Sequence, residues 1–554
     1  MTKGKKMLEK LDRKRVNGFL KARGQKIVNG KGEEILLAGW GLGNWLLCEG
    51  YMWLAFDNRA FDRPRNIEET VRDLTGSVYA EHFWKEFRTR YITRKDILRM
   101  AELGYNSVRI PINWRILMED EPGEIVFKEE GFRLLEDCVN WCEEAGVYAI
   151  LDMHGAPGGQ TGDNIDDSRD NLPRLLTDKD YWDKGVTLWE ELARRYKGRW
   201  IVGAYDLLNE PIRTVRYDYP DIDYALPALI RFYEEAVAAI RKIDPDHLLS
   251  IEGHHWATDP AVFFKKYDDN MLIHFHRYGC PPDISAFQTF TALREKLDAP
   301  LWLGETGENN NEWYAALYPL AFNLDIGVNV WPWKKMQCAT SPYSVKKPER
   351  WDALLAYTKG GPKPSKTEAA IALDEYLENM KLENCVENPA VTNAVFRRPP
   401  CSLRATDFDQ LPGKGVSFSG GREEPCLFGY QRDSGMAVRA GKGKDPLQET
   451  GWDRWGIYTL ELARGEFAVY SLYGIEEGSV LRLSFTDVEE ARLCIEQDGK
   501  PLAAFDLRAQ SDAPLIPLNA APESRITVRM EKGTAILSKL EVLPTGIVAR
   551  GGDQ

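Results

Sequence analysis

Two glutamates close apolar runs, where a buried carboxylate is costly unless it has a use. Glu210 ends the stretch Tyr205-Asp206-Leu207-Leu208-Asn209-Glu210-Pro211, and Glu305 ends Pro300-Leu301-Trp302-Leu303-Gly304-Glu305. Burying an unpaired carboxylate costs several kcal/mol, so this pair points to acid/base chemistry more than to surface charge. A β-branched and aromatic run stopped by proline reads as a strand that cannot continue, which delivers Asn209 and Glu210 to its C-terminal end. Glycines flank Glu305 and allow backbone and ligand to approach closely. The two glutamates are 95 positions apart, which at about 30 residues per βα unit is roughly three strands. In a parallel barrel that spacing sets them across the mouth from one another.

The elements needed to position them are legible as an alternation. Strand runs occur near Leu36, at Asn106–Ile112, Val147–His154, Trp200–Leu208, His247–Gly253, Met271–Tyr278, Leu301–Glu305 and Val328–Lys334. Helical spacing of apolar residues fills Lys95–Leu103, Gly131–Ala145, Tyr181–Tyr196, Leu226–Ile243, Thr291–Leu297 and Thr367–Leu382. Eight strands with helices between most of them imply an α/β fold, a (β/α)8 TIM barrel over residues 1–385. Ahead of it, Lys26–Leu37 reads as a hairpin turning at Asn29-Gly30. The glycine and tryptophan stretch Ala38–Trp45 is either a pocket-lining strand end or core. Leu46–Arg65, with Trp53 and Phe56, is expected to wall off one end of a cleft.

Beyond the barrel the pattern changes. Residues 386–400 carry three prolines and no clear period, as a linker would. From 401 to 554 short alternating runs with Gly and Asp turns imply an all-β sandwich.

Composition excludes several classes of function. With 554 residues, 43% hydrophobic content and a net charge of −13, the chain can bury a large core but has no basic footprint for nucleic acid or an anionic membrane. Neither an apolar signal stretch nor a run of 18 apolar residues is present, so a cytoplasmic location is expected. The nine cysteines are odd in number and lack a CxxC pair, which argues against a disulfide framework or structural zinc.

The remaining strand ends collect Arg109, His154, Asn209, His276, Tyr278 and the pair Trp331 and Trp333 beside the two glutamates. The motifs Ser107-Val108-Arg109-Ile110-Pro111, Asp152-Met153-His154, Asn209-Glu210-Pro211, His276-x-Tyr278, Gly304-Glu305 and the tryptophan-bearing last strand resemble glycoside hydrolase family 5, of clan A. The loop His154-Gly155-Ala156-Pro157-Gly158-Gly159-Gln160-Thr161-Gly162 and Trp331-x-Trp333-Lys334 are similar to its exo-β-1,3-glucanase and β-glucosidase branch, from which the acidic segment Asp163–Asp170 departs. The resemblance implies a retaining, exo-acting β-glycosidase on β-glucosides or short β-glucans. Glu210 would be its general acid/base and Glu305 its nucleophile. Arg109 and Tyr278 would favour ionised Glu305, and Asn209 would hold the sugar 2-hydroxyl. His154 and His276 would line the sugar site, and at least one of Trp331 and Trp333 would stack on the sugar. A carbohydrate is the expected partner, with no cofactor and no metal.

The segments Gly451–Thr459 and Ala463–Tyr470 are similar to carbohydrate-binding modules of families 6 and 35; a purely structural domain fits them equally. A different chemistry is also open, because His254, His255, His274 and His276 cluster near adjacent strand ends, as in a barrel metallohydrolase. Against it, no Asp or His pair ends the first strand, and neutral imidazoles lining a sugar site explain the same residues.

Overall fold

The computed structural model describes residues 7–216, 219–423, 429–431, 433–508 and 513–544. Residues 1–6 of the expected barrel domain and 545–554 of the expected sandwich lie outside these. Eight strands close into a parallel barrel: β3 (Ala38–Gly41), β4 (Ser107–Asn113), β5 (Tyr148–Gly155), β6 (Val202–Asp206), β7 (Leu248–Glu252), β8 (Met271–Arg277), β9 (Leu301–Gly307) and β10 (Gly327–Trp331), with β10 returning to β3. These are the eight runs expected. Two helices, Pro64–Thr75 and Ser77–Arg90, went unread in the sequence. The second presents Phe83, Trp84 and Phe87 to Trp53, which is fully buried among these and Phe61, Trp351 and Tyr376. Trp53 therefore builds core instead of facing a cleft.

The N-terminal end of the barrel is plugged. Two short strands, β1 (Lys21–Arg23) and β2 (Lys26–Val28), pair across Gly24-Gln25. The expected turn at Asn29-Gly30 survives only as a single bridge from Val28 to Glu34, because the Asn29 side chain accepts the N–H groups of Lys31 and Glu33 and closes a wider loop. Leu20, Ile27 and Ile35 then pack with Leu37, Tyr148, Ile150, Ala204, Leu248, Leu272 and Trp302, the residues that fill the lower barrel. Burial of apolar surface on this scale is the main stabilising term of the fold, at about 25 cal/mol per Å².

The chain forms two compact units. One takes in the residues up to His276, Thr289–Thr306 and Asp325–Asn388; the other takes in Arg277–Gln288, Gly307–Leu324 and the chain from Pro389 onward. In the first, β11 (Lys334–Met336), β12 (Tyr343–Val345) and β13 (Val386–Glu387) form a small sheet. Residues 386–400 are thus not an open linker: they hold β13 and the helix Pro389–Val395, whose Val391, Ala394 and Val395 are buried.

In the second unit that helix and Asn311–Asn323 lie together, with Phe322 and Phe396 stacked 6.2 Å apart. Its eight-stranded antiparallel sheet comprises β14 (Cys401–Arg404), β15 (Ala437–Ala440), β16 (Tyr458–Ala463), β17 (Phe467–Ile475), β18 (Val480–Gln497), β19 (Lys500–Leu507), β20 (Ile516–Pro517) and β21 (Ala521–Leu543). The long strands β18 and β21 shift register several times along their shared ladder. One half of β21 pairs with β17 and the other with β14 and β16. Among the described residues, no helix is long and apolar enough to cross a membrane.

Trp302 is fully buried in the plugged end and lies 4.7 Å from the ring of His274. Replacing it with alanine removes the largest apolar contact there, and Trp302→Ala should lower unfolding free energy by about 3–5 kcal/mol, read from a denaturant titration.

Candidate active site

Alternation along parallel strands places side chains two residues apart on the same face, and here the inward face becomes polar towards the C-terminal ends. The centre is Arg109 of β4, fully buried. Its guanidinium donates from Nε to Asp206 (2.9 Å), from Nη1 to Glu305 (2.5 Å), and from Nη2 to Glu252 (3.0 Å) and Asn209 (2.8 Å). Asp152 lies 3.2 Å from the same Nη2. Burial alone would favour a neutral guanidinium, but the surrounding Asp152, Asp206, Glu305 and Glu252 outweigh it and hold Arg109 cationic.

Glu210 sits just past β6 with φ of +44°, in the left-handed region that costs a side-chain-bearing residue about 1 kcal/mol or more. Two contacts fix it there. Its main-chain N–H donates to Glu252 (2.7 Å), and its carbonyl accepts from the Thr161 hydroxyl (2.9 Å). Gln160 clamps the same loops, donating to the carbonyls of His154 (2.7 Å) and Asn209 (2.8 Å). The loop that resembled an exo-glucanase branch is therefore a brace for Asn209 and Glu210.

The Glu210 carboxylate lies 2.6 Å from His276 Nδ1, and His276 Nε2 lies 3.0 Å from His274 Nε2. His274 Nδ1 in turn lies 2.9 Å from Asp206, which also accepts from the Ser250 hydroxyl at 2.7 Å. Gly304 makes this column possible, since a Cβ there would come within 2.0 Å of the His274 ring. One oxygen of Glu210, one of Glu305 and a nitrogen of His276 lie within 4.8 Å of each other.

The protonation pattern follows from burial and charge. Burial first, then the negative charge of Glu305 and Glu252, push Glu210 above the ordinary glutamate range, with His276 opposing. Burial disfavours a charged His276, but Glu252, Glu305 and Glu210 overcome it and raise its pKa well above the usual value. Asp152 is raised well above the carboxylate range, by burial first and then by the neighbouring Asp206, Glu252 and Glu305, with Arg109 opposing. His154, whose Nδ1 is 2.7 Å from Asp152, falls to about 4 through burial and the charge of Arg109, and is neutral.

The other expected site residues divide. Asn209 bridges Arg109 and His154, its Nδ2 being 3.3 Å from His154 Nε2. Trp331 stacks parallel to His154 with centroids 5.2 Å apart, and its indole N–H donates to Tyr51 at 2.9 Å. A Cβ on Gly41 would meet the Trp331 ring at 2.4 Å and one on Gly43 at 2.7 Å, so the glycine stretch is the slot for that ring. Trp333 is a correction: it is fully buried, packs on Trp40 and Tyr343, and donates to Asp96 at 3.0 Å, so it is core and offers no sugar-facing surface. Tyr278 belongs to the second unit, where it meets Trp452 edge-on at 5.6 Å.

The acidic segment Asp163–Asp170 is not a solvated loop. Asp166 accepts the N–H groups of Thr161, Gly162 and Ser168, and Asp167 accepts from Asn113, Arg65 and Arg115. Reading strand-terminal residues gave no role to Asp206, Ser250 and Glu252, took His274 only as a metal-ligand candidate and quoted Asp152 only within the motif of His154. Period-two spacing from His154 and Glu252 was the signal that could have given Asp152 and Ser250 a place in the site.

The architecture defines the class: a parallel (β/α)8 barrel with a paired-carboxylate site at the C-terminal ends of its strands. Residues 69–336 match the family model Cellulase (glycosyl hydrolase family 5). A β-xylosidase of Phanerodontia chrysosporium is 32% identical over 318 residues, which is 56% of this chain and 61% of that protein. A probable glucan 1,3-β-glucosidase A of Aspergillus fumigatus is 28% identical over 246 residues, 44% of this chain and 56% of its own. The chain thus spans between half and two thirds of these relatives' lengths. Among solved structures, an endogalactoceramidase aligns over 94% of this chain and 99% of its own, at 16% identity and a TM-score of 0.46.

His276 opposes the upward shift of Glu210. In His276→Gln that opposition is removed, so the Glu210 carboxyl should titrate at higher pH than in the parent, read by NMR of 13C-labelled glutamate; an unchanged or lower titration point would contradict the arrangement.

Proposed function

We propose that the chain is a retaining β-glycosidase, exo-acting on β-glucosides or short β-glucans, with Glu305 as nucleophile and Glu210 as general acid/base. The observation that carries this reading is the approach of a Glu210 and a Glu305 oxygen to within 4.8 Å. Retaining enzymes need carboxyl groups about 5–5.5 Å apart, whereas inverting ones leave about 6.5–9.5 Å for a water.

In this mechanism Glu305, ion-paired to Arg109, attacks the anomeric carbon while Glu210 donates its proton to the departing oxygen. The raised Glu210 pKa keeps that proton available. Once the leaving group departs, ionised Glu210 takes a proton from water, and the oxygen of that water displaces Glu305. Two inversions return the β-anomer. Asn209 is held by Arg109 and His154 in position to bind a sugar hydroxyl. Trp331 offers an aromatic wall to the sugar's C–H face. Residues 401–544 serve as an accessory module, carbohydrate-binding or structural.

A β-xyloside glycone is the second reading, favoured by the β-xylosidase relative, which matches the larger share of this chain of the two curated proteins compared. Glycolipids remain a further class for the same chemistry. Assay of aryl β-glucosides, β-xylosides and β-linked disaccharides, with the first-formed anomer followed by NMR, separates these. Release of the β-anomer is expected; release of the α-anomer would overturn the retaining assignment.

Glu210→Gln should lower kcat/KM by about 10²–10⁴-fold on substrates with poor leaving groups, and Glu305→Ala should abolish turnover. Because activity requires protonated Glu210, the basic limb of the kcat/KM profile should fall above the ordinary glutamate pKa of about 4.3.

A further inference from the structure

The turn that follows β7 carries a second cluster, which the mechanism does not use. Gly253 lets it close, since a Cβ there would lie 2.3 Å from the Asp259 carbonyl, and His254 and Asp259 then pair as an antiparallel bridge. His255, Trp256 and Ala257 all have positive φ, between 52° and 56°, which turns the chain sharply between the bridge residues. The closed turn brings the rings of His254 and His255 to 4.0 Å between centroids. Donor atoms of His254, His255 and Asp259 lie within 4.8 Å of one another.

The details fit a ligand set. His254 is 5% exposed, and its Nδ1 has no hydrogen-bond partner, being 3.5 Å from the nearer Asp259 oxygen. His255 Nε2 is 2.9 Å from Asp223, a carboxylate–imidazole contact of the kind that orients metal-bound histidines. The Ala261 N–H fixes Asp259 Oδ1 at 2.9 Å.

We propose that His254, His255 and Asp259 bind one divalent transition-metal ion, with Asp223 orienting His255. Two imidazoles and one carboxylate suit zinc, nickel, cobalt or copper, and not magnesium or calcium, which take oxygen ligands. His254 anchors the ion from its buried position. His255 and Asp259 are partly exposed, so their side chains can rotate onto it without rearranging the turn. The ion would tether the connection leaving β7, two residues beyond Glu252.

The test uses the full-length untagged protein, stripped with chelator, and zinc chloride followed by calorimetry and thermal unfolding. One zinc per chain and a Tm rise of roughly 2 °C or more are expected, with no response to magnesium chloride. His255→Gln and Asp259→Asn, both at partly exposed positions, should each weaken zinc binding by about tenfold or more. His276→Gln, which breaks the cluster of Glu210, His276 and Glu305, should leave zinc affinity unchanged. The proposal is overturned if the parent takes up no zinc at millimolar concentration. It also fails if zinc affinity is unaffected by His255→Gln and Asp259→Asn, or is lost instead in His276→Gln.

Discussion

A single buried guanidinium holds the polar face of the barrel together. Arg109 meets Asp152, Asp206, Glu252 and Glu305 at once, and these come from four different strands of the barrel. Carboxylates in such a place would repel one another and seek water, and one cation with a planar fork of donors is what lets them stay. The group also imposes a division of protons. With so many acids facing one guanidinium, some must be neutral, and Asp152 and Glu210 are the ones driven upward. Arg109 bonds Glu305 directly and reaches Glu210 only through Asn209 and Glu252.

Glu252 links charge to backbone geometry. Its two oxygens engage different things, one the Arg109 guanidinium and the other the main-chain N–H of Glu210. The left-handed conformation of Glu210 is thus stabilised by the same carboxylate that helps keep its proton. The column from His276 through His274 to Asp206 adds a second support, set by ring packing and hydrogen bonds and accommodated by Gly304.

Much of this was legible in the sequence because it depends on local pattern. Strand runs ended by proline or glycine announced Glu210 and Glu305, and all eight barrel strands fell where apolar periodicity set them. The polar layer beneath was less visible: Asp206 and Glu252 look like ordinary acids until strand alternation is combined with closure, which is a long-range property. Trp331 and Trp333 illustrate the same limit. They are two residues apart on one chain segment, yet one stacks on His154 and the other is drawn into the core by a buried Asp96 that also binds Lys334. The helices Pro64–Thr75 and Ser77–Arg90 carry a weak start signal, since Arg63 and Gly76 stand at their N-caps and neither makes a side-chain cap hydrogen bond.

The plugged end of the barrel bears on where this protein can be cut. The family match begins at residue 69, but β3 lies at Ala38–Gly41, and Leu20 and Ile27 come earlier still. A fragment trimmed to the matched region would lack the strand that joins β10 to β4, exposing two unpaired parallel edges and an uncovered apolar floor, the kind of surface that drives edge-to-edge association. The autonomous folding unit is therefore larger than the matched stretch. Circular permutants that break the chain between β2 and β3 would separate the stopper from the vessel it seals.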